Sequence, residues 1–185
     1  MARIKINSNF YLPMPTTIVG MKVKGKPNFC AVGWITRVNY KPPMIGIALY
    51  KSHYSPVGIK ENKTFSICIP GVDLVKETDY CGIYSGKKID KSKLFTIFYG
   101  ETKTAPMIKE CPINIECKLY KTFTLPDDIL FIGKVVNVYA EEKFLTKGRV
   151  DYKKVKPFIF TIPPNIYSLI GKNIGKAYSI GKNLK

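Results

Sequence analysis

The run Thr16-Thr17-Ile18-Val19-Gly20-Met21-Lys22-Val23 leads through Lys24-Gly25-Lys26-Pro27 into Asn28-Phe29-Cys30-Ala31-Val32-Gly33-Trp34-Ile35-Thr36. Its first segment is rich in β-branched residues, which suit a pleated and half-buried surface. Gly25 and Pro27 supply turn punctuation, and a second apolar segment follows at once. The reading is a hairpin with strands over Thr16 to Val23 and Asn28 to Thr36. Asn28 and Trp34 are an even number of residues apart, so the two-residue period of a strand predicts that they share one face.

The same grammar extends outward. Lys41-Pro42-Pro43 breaks the pattern ahead of another apolar run, Met44 to Tyr50, and Thr64 to Pro70 is a further strand. Ile113 to Phe123 and Ile129 to Tyr139 flank Thr124-Leu125-Pro126-Asp127-Asp128 as a second, longer hairpin, and Phe158 to Ile162 closes the set. Two helices interrupt the strands. One starts at Ser55-Pro56, with Ser55 as N-cap and Pro56 in the first helical position. The other runs from about Asp73 to Cys81 and stops at Gly82, a common helix-ending residue. Short strands with regular turn signals predict a mainly β chain, a barrel or sandwich, with a few short helices. No repeat or low-complexity linker interrupts it, so residues 1–185 are expected to form a single domain.

With 185 residues, 45% of them hydrophobic, the chain can bury a sizeable core. The opening Met-Ala-Arg-Ile-Lys-Ile lacks the apolar stretch of a secretory signal, and no run is long enough for a membrane helix. A cytoplasmic location is expected. The five cysteines, Cys30, Cys68, Cys81, Cys111 and Cys117, include no Cys-x-x-Cys pair, and His53 is the single histidine. That excludes zinc-knuckle and multi-histidine metal sites within one chain and makes the thiols small buried hydrophobes of a reducing compartment. The net charge of +17 raises the question of nucleic acid. Only Arg3, Arg37 and Arg149 among the 30 basic residues are arginines, however, and the lysines are spread without a basic tail. Lysine is a hydrated point charge and lacks the planar fork that reads phosphate and guanine. A solvated basic surface, attraction of an acidic partner and nucleic-acid binding remain open, in descending order of support.

For a small ligand, the helix start at Ser55-Pro56 is the best physical candidate. Free N–H groups and the positive end of the helix dipole favour an anion there, and the hydroxyl adds a donor. Lys51 and Ser52 lie just upstream. A plain helix cap is the bland alternative. Trp34 alone reads as core and Lys91 alone as surface. Cys81, at a helix C-terminus, sits where the dipole disfavours a thiolate. Gly175-x5-Gly181-Lys182 is too long for a phosphate loop, no Gly-x-Gly-x-x-Gly follows a strand, Asp127-Asp128 fits a hairpin turn, and His53 has no hydrolase motif around it.

The order of small motifs carries more. Asn28-Phe29-Cys30-Ala31-Val32-Gly33-Trp34, Lys41-Pro42-Pro43-Met44, Tyr54-Ser55-Pro56, Cys81-Gly82, Ser85-Gly86, Asp90-Lys91, Ala105-Pro106, Glu116-Cys117-Lys118 and Phe131-Ile132-Gly133-Lys134-Val135 follow one another. In this order and spacing the chain resembles the flavin reductase-like family of FMN-binding split barrels, in its flavoredoxin branch, over roughly residues 10 to 180. The resemblance implies a split β-barrel of Greek-key type, a homodimer, and non-covalent FMN that carries the chemistry, so no catalytic side chain is needed. It further implies FMN contacts from Asn28, Trp34, Ser52, Ser55, Cys81 and Lys91, with no metal. Ser55 would meet the phosphate, Lys91 a phosphate oxygen or the ribityl chain, and Cys81 would pack on the ring. Two functions follow from it: an NAD(P)H-dependent oxidoreductase of the flavin reductase type, or an electron-transfer flavoprotein serving a redox protein. A nucleic-acid-binding barrel is the remote alternative.

Overall fold

In the computed structural model, which describes residues 3–7, 12–182 and 184, the opening hairpin forms between β2 (Thr17–Val23) and β3 (Lys26–Val32), after a short β1 (Met14–Pro15). The chain continues through β4 (Ile35–Asn39), β5 (Met44–Tyr50), helix α1 (Ser55–Asn62), β6 (Thr64–Ile69) and helix α2 (Val75–Ile83). Next come β7 (Ile97–Tyr99), β8 (Pro106–Ile108) and the long hairpin of β9 (Ile113–Thr124) and β10 (Asp128–Ala140). The small elements β11 (Leu145–Thr146), β12 (Arg149–Val150), α3 (Tyr152–Val155), β13 (Phe158–Thr161) and β14 (Ile166–Leu169) end the series.

Seven strands make one antiparallel sheet in the order β3-β2-β6-β9-β10-β5-β4. Its two edge strands, β3 and β4, are neighbours in the chain, so the sheet curls until its edges approach without a ladder joining them. This is the mainly β split barrel expected. Two expectations need correction. The strand from Asn28 does not reach Thr36: it ends at Val32, and the Ile35 N–H donates to the Gly33 carbonyl at 2.9 Å, which bends the chain before β4. β13, expected to close the set, instead joins β1 and β14 in a separate three-stranded sheet.

Strand periodicity decides what fills the barrel. Val19, Met21 and Val23 alternate on one face of β2 and pack with Ile47, Phe65 and Phe131. Ile18, on the other face, joins Phe29, Cys68, Cys81, Phe95 and Met107 under α2 and the β7–β8 ribbon. β2 is therefore buried on both sides. Helix α1 lies against it closely enough that a Cβ on Gly58 would strike the Lys22 carbonyl, so only glycine fits. Ile59, wholly buried, fastens the helix to the core and contributes about 1.5–3 kcal/mol on its own. No helix among the described residues is long and apolar enough to cross a membrane.

One buried carboxylate ties down the loop between β7 and β8. Glu116 of β9 is 0% exposed and accepts from the N–H of Glu101 (3.2 Å), the N–H and hydroxyl of Thr102 (both 2.7 Å), Asn137 Nδ2 (3.2 Å) and Tyr139 Oη (3.3 Å). Burial pushes the acid up, but these donors outweigh it and hold the carboxyl below its usual range.

Candidate functional site

A groove follows β3 from the first hairpin to the β3–β4 corner. Its first part, about 340 Å³, is lined by Lys24, Lys26, Asn28, Tyr54, Gly86 and Lys91 among others. A narrower middle part of about 140 Å³ lies between Cys30, Ser55, Cys81 and Lys91. The two share Tyr54, Gly86 and Lys91. A third part of about 270 Å³ is mostly apolar, with Val32, Trp34, Leu49, Phe160 and Ile162 on its walls, and it meets the middle part at Ala31 and His53. Asn28 and Cys30 line the groove from one face of β3, as the strand period requires.

The start of α1 opens onto the middle part. Tyr54 is the capping residue, with no side-chain cap bond, and Ser55 is the first helical residue, so the expected serine N-cap is displaced by one position. The Val57 N–H donates to the Tyr54 carbonyl at 3.3 Å, which starts the helix one residue early, and the Ser55 hydroxyl is used elsewhere. Asn28 Nδ2 donates to Ser55 Oγ at 3.2 Å and also touches Met21 Sδ at 3.3 Å. Both residues are buried, which joins the two predicted contacts in one hydrogen-bonded pair. Behind them, the backbone of Gly86 lies so close to Asn28 Oδ1 that a Cβ there would overlap it.

Lys91, read on its own as a surface residue, is only 3% exposed. Its ammonium donates to the carbonyls of Cys81 at 3.0 Å and Tyr84 at 2.8 Å. Cys81 lies in the last turn of α2 and Tyr84 just beyond, so the cation sits on the negative end of that helix. Two of the three donors of the ammonium are thereby used, and Lys91 lines both the first and the middle part of the groove. Burial lowers the Lys91 pKa, and the neighbouring thiols oppose that only partly. Gly82 does not end α2; the helix runs on to Ile83 and turns out at Tyr84, where the lysine takes the role of C-cap that the glycine was assigned.

The two thiols beside Lys91 are not activated. Burial pushes Cys81 up to about 12, with the nearby ammonium pulling the other way. Cys30 is raised by burial as well, against the Ser55 hydroxyl and the Lys91 charge. All five cysteines are unpaired, and among the described residues no cluster of metal-ligating side chains occurs.

Trp34 does not share a cavity wall with Asn28. It lies past the end of β3, half exposed at 44%, and lines the apolar part. Its carbonyl accepts from Ala48 N–H at 2.9 Å, which fixes the corner. Ser52 is exposed in the turn before α1, and Lys51 reaches away to the Pro126 carbonyl at 2.6 Å. Sequence reasoning missed Tyr54, His53 and Asp128. Asp128 stands on the apolar part, and its Oδ1 is buried without a hydrogen-bond partner among the described residues. No local signal marks it, because a carboxylate in a hairpin turn is ordinary; the pairing of β10 with β5 brings it there.

The sequence profile of the flavin reductase like domain matches residues 9–156. A flavoredoxin crystal structure from Methanosarcina acetivorans superposes with TM-score 0.98 at 49% identity, over 100% of both chains. Flavoredoxin of Desulfovibrio vulgaris (Miyazaki F) gives 0.91 at 34% identity, over 98% of this chain and 100% of that one. A crystal structure of a protein with a split barrel domain, from Shewanella frigidimarina, shares the fold with TM-score 0.80 at 17% identity, over 90% of this chain and 87% of its own. With the split barrel, the groove along β3 and the match over most of its length, the chain belongs to the flavin reductase like domain family.

Proposed function

We propose that the groove holds FMN without a covalent bond and that the protein passes electrons through it. The observation that carries this reading is Lys91, a buried cation with one unspent donor, set beside the start of α1. Buried charge is costly, and a cation kept at a helix start points to an anion between them. The donor set suits a phosphate: the ammonium, the Ser55 hydroxyl and the helix N–H groups. The apolar part suits a flat heteroaromatic ring. Trp34, Val32 and Phe160 would exclude water from it, and the unpaired Asp128 oxygen would accept a ring N–H.

FMN, when bound, supplies reversible uptake of two electrons. The residues hold and orient it. Asn28 fixes the Ser55 hydroxyl, Lys91 neutralises the phosphate, and Cys81 is a packing surface. The reading extends to a cytoplasmic homodimer reduced by NAD(P)H, as an oxidoreductase of the flavin reductase type. The dimer is supported by an apolar groove of about 560 Å³ between Ile35, Met44, Ile45, Ile69, Val135 and Val138, and by the C-terminal stretch, where Ile174 and Tyr178 are 96% and 98% exposed. Such surfaces are covered in stable proteins. Electron transfer to a partner protein is the second reading, favoured by the lysines at the mouth of the groove.

The test is a flavin titration followed by anaerobic reduction with NADH and NADPH. One FMN per chain with a yellow spectrum is expected, and Ser55→Ala, which also removes the acceptor of Asn28, is expected to weaken binding about tenfold, equal to about 1.4 kcal/mol. A colourless protein that takes up no FMN would overturn the reading.

A further inference from the structure

The wall of the apolar part is not carried by the barrel alone. Phe160 of β13 and Ile162 just after it reach that wall, as does Met14 of β1, the neighbour of β13 in the small sheet. The chain then turns back into β14, where Tyr167 pairs directly with Phe160. Cross-strand partners share a face, and Phe158, two residues before Phe160, shares it too. The Tyr167 ring lies 5.2 Å from that of Phe160 and meets that of Phe158 edge-on at 5.5 Å. Phenylalanine would supply this packing as well. The hydroxyl adds something different: it donates to Asp79 Oδ1 of α2 at 2.9 Å. Burial, and next the bond to Asp79, push this hydroxyl up to about 12, so it keeps its proton at neutral pH.

That bond crosses from the small sheet to the helix that serves the other end of the groove. Asp79 stands two residues before Cys81, about 3 Å along the helix axis. The carbonyls of Cys81 and Tyr84 hold Lys91. Helix α2 therefore fixes the cation at its end and reaches the Phe160 wall through its side. On β14 itself, Ile166, Ser168 and Leu169 are exposed, so Tyr167 is the residue by which this edge strand is fastened.

We propose that Tyr167 is a positioning residue for the flavin ring: its hydrogen bond to Asp79 clamps the β13–β14 hairpin to α2 and holds Phe160 against the ring. The proposal rests on the FMN reading above. A flavin lying along the groove meets Lys91 with its phosphate and Phe160 with its ring, and one helix sets the spacing between the two. Without the clamp the Phe160 wall moves off, the ring loses close contacts on that side and water reaches it. The phosphate contacts are untouched.

Fluorescence titrations with FMN and with riboflavin, which has the ring but no phosphate, test this together with iodide quenching of the bound flavin. Tyr167→Phe is expected to weaken both ligands by the same factor, at least about threefold, and to raise the quenching constant. Asp79→Ala is expected to do the same, whereas Asp79→Asn keeps an acceptor for the hydroxyl and stays within about twofold of the parent. Phe160→Ala removes what the clamp positions, so adding Tyr167→Phe to it changes affinity by less than about twofold. Ser55→Ala, at the phosphate, marks the contrast by weakening FMN alone. Urea denaturation of each apoprotein establishes that it is folded. Folded Tyr167→Phe and Asp79→Ala variants with the parent's riboflavin affinity and quenching would overturn the clamp, whatever stability they lose. So would a loss confined to FMN, which would place the effect at the phosphate, or full additivity with Phe160→Ala. A parent protein that binds neither flavin would instead refute the flavin reading itself.

Discussion

Replacing Lys91 by methionine separates what this residue does for the fold from what it does for the cofactor. The methionine keeps an apolar stem of similar length where the lysine is buried. It removes two hydrogen bonds from a charged donor, to Cys81 and Tyr84 at the end of α2. Each, as a hydrogen bond to a charged group, contributes about 1.5–3 kcal/mol. Against that stands the desolvation of a buried ammonium, several kcal/mol, which the variant no longer carries. The two nearly cancel, so the expected loss of stability without FMN is small, about 1–2 kcal/mol. The cofactor has no such compensation. Losing one charge-assisted bond to the phosphate weakens FMN binding by about 1.5–3 kcal/mol, or roughly 10- to 100-fold in Kd. Urea denaturation of the apoprotein and fluorescence titration of FMN at pH 7 measure the two effects independently. A folded variant whose FMN affinity stays within about twofold of the parent would refute the contact between Lys91 and the phosphate. The pH dependence adds a sign. Because burial lowers the pKa of Lys91, the folded protein gives up this proton below the usual 10.5. Between the lowered value and 10.5 the unfolded chain binds more protons, so this group's contribution makes stability rise with pH. FMN affinity falls over the same interval as the charge disappears. In the methionine variant neither trend remains.

Three further outcomes are expected. Cys81→Ser retains FMN reduction, because a thiol pushed up to about 12 by burial supplies no thiolate at neutral pH; a variant that binds FMN yet transfers no electrons would contradict this. Glu116→Gln destabilises by about 2–4 kcal/mol in chemical denaturation, since the amide presents N–H groups where the carboxylate accepts from Glu101, Thr102, Asn137 and Tyr139. The parent carries this contribution fully above the ordinary carboxyl value of 4.5 and loses it as pH falls through the lowered folded value, so the acid limb of its stability curve is steeper than the variant's. Light scattering across a dilution series gives a dimer, with FMN fluorescence rising as dimers dissociate; a monomer that keeps FMN at every concentration would contradict the proposed assembly.

Strand period and turn chemistry carry most of the fold into the sequence. The bounds of Met44–Tyr50 and the long hairpin on either side of Pro126 are legible because apolar runs and turn residues alternate there without conflict. The corner at Gly33 is not. Val32, Trp34 and Ile35 read as one continuing strand, and only the approach of β5, whose Ala48 donates to the Trp34 carbonyl, forces the break. β7 and β8 escape notice for a related reason: each is three residues long, too short to express a period. Strand spacing places Trp34 and Asn28 on one face, and residue type ends the helix at Gly82; tertiary contacts overrule both.

The candidate site divides along the same line. A strand position marks Asn28 and a helix start marks Ser55, and the two meet because β3 runs past the start of α1. Lys91 is the harder case. Lysine carries no burial signal, and this one follows an exposed aspartate in a polar loop. What buries it is the helix end beneath, whose carbonyls have lost their helical donors and take the ammonium instead. A cation drawn in by one helix end stands beside the start of another, and the same side chain then has reason to meet an anion there. Helix polarity, a backbone property that no single residue advertises, therefore decides where the charge lies, and the resemblance of motifs reports only its outcome.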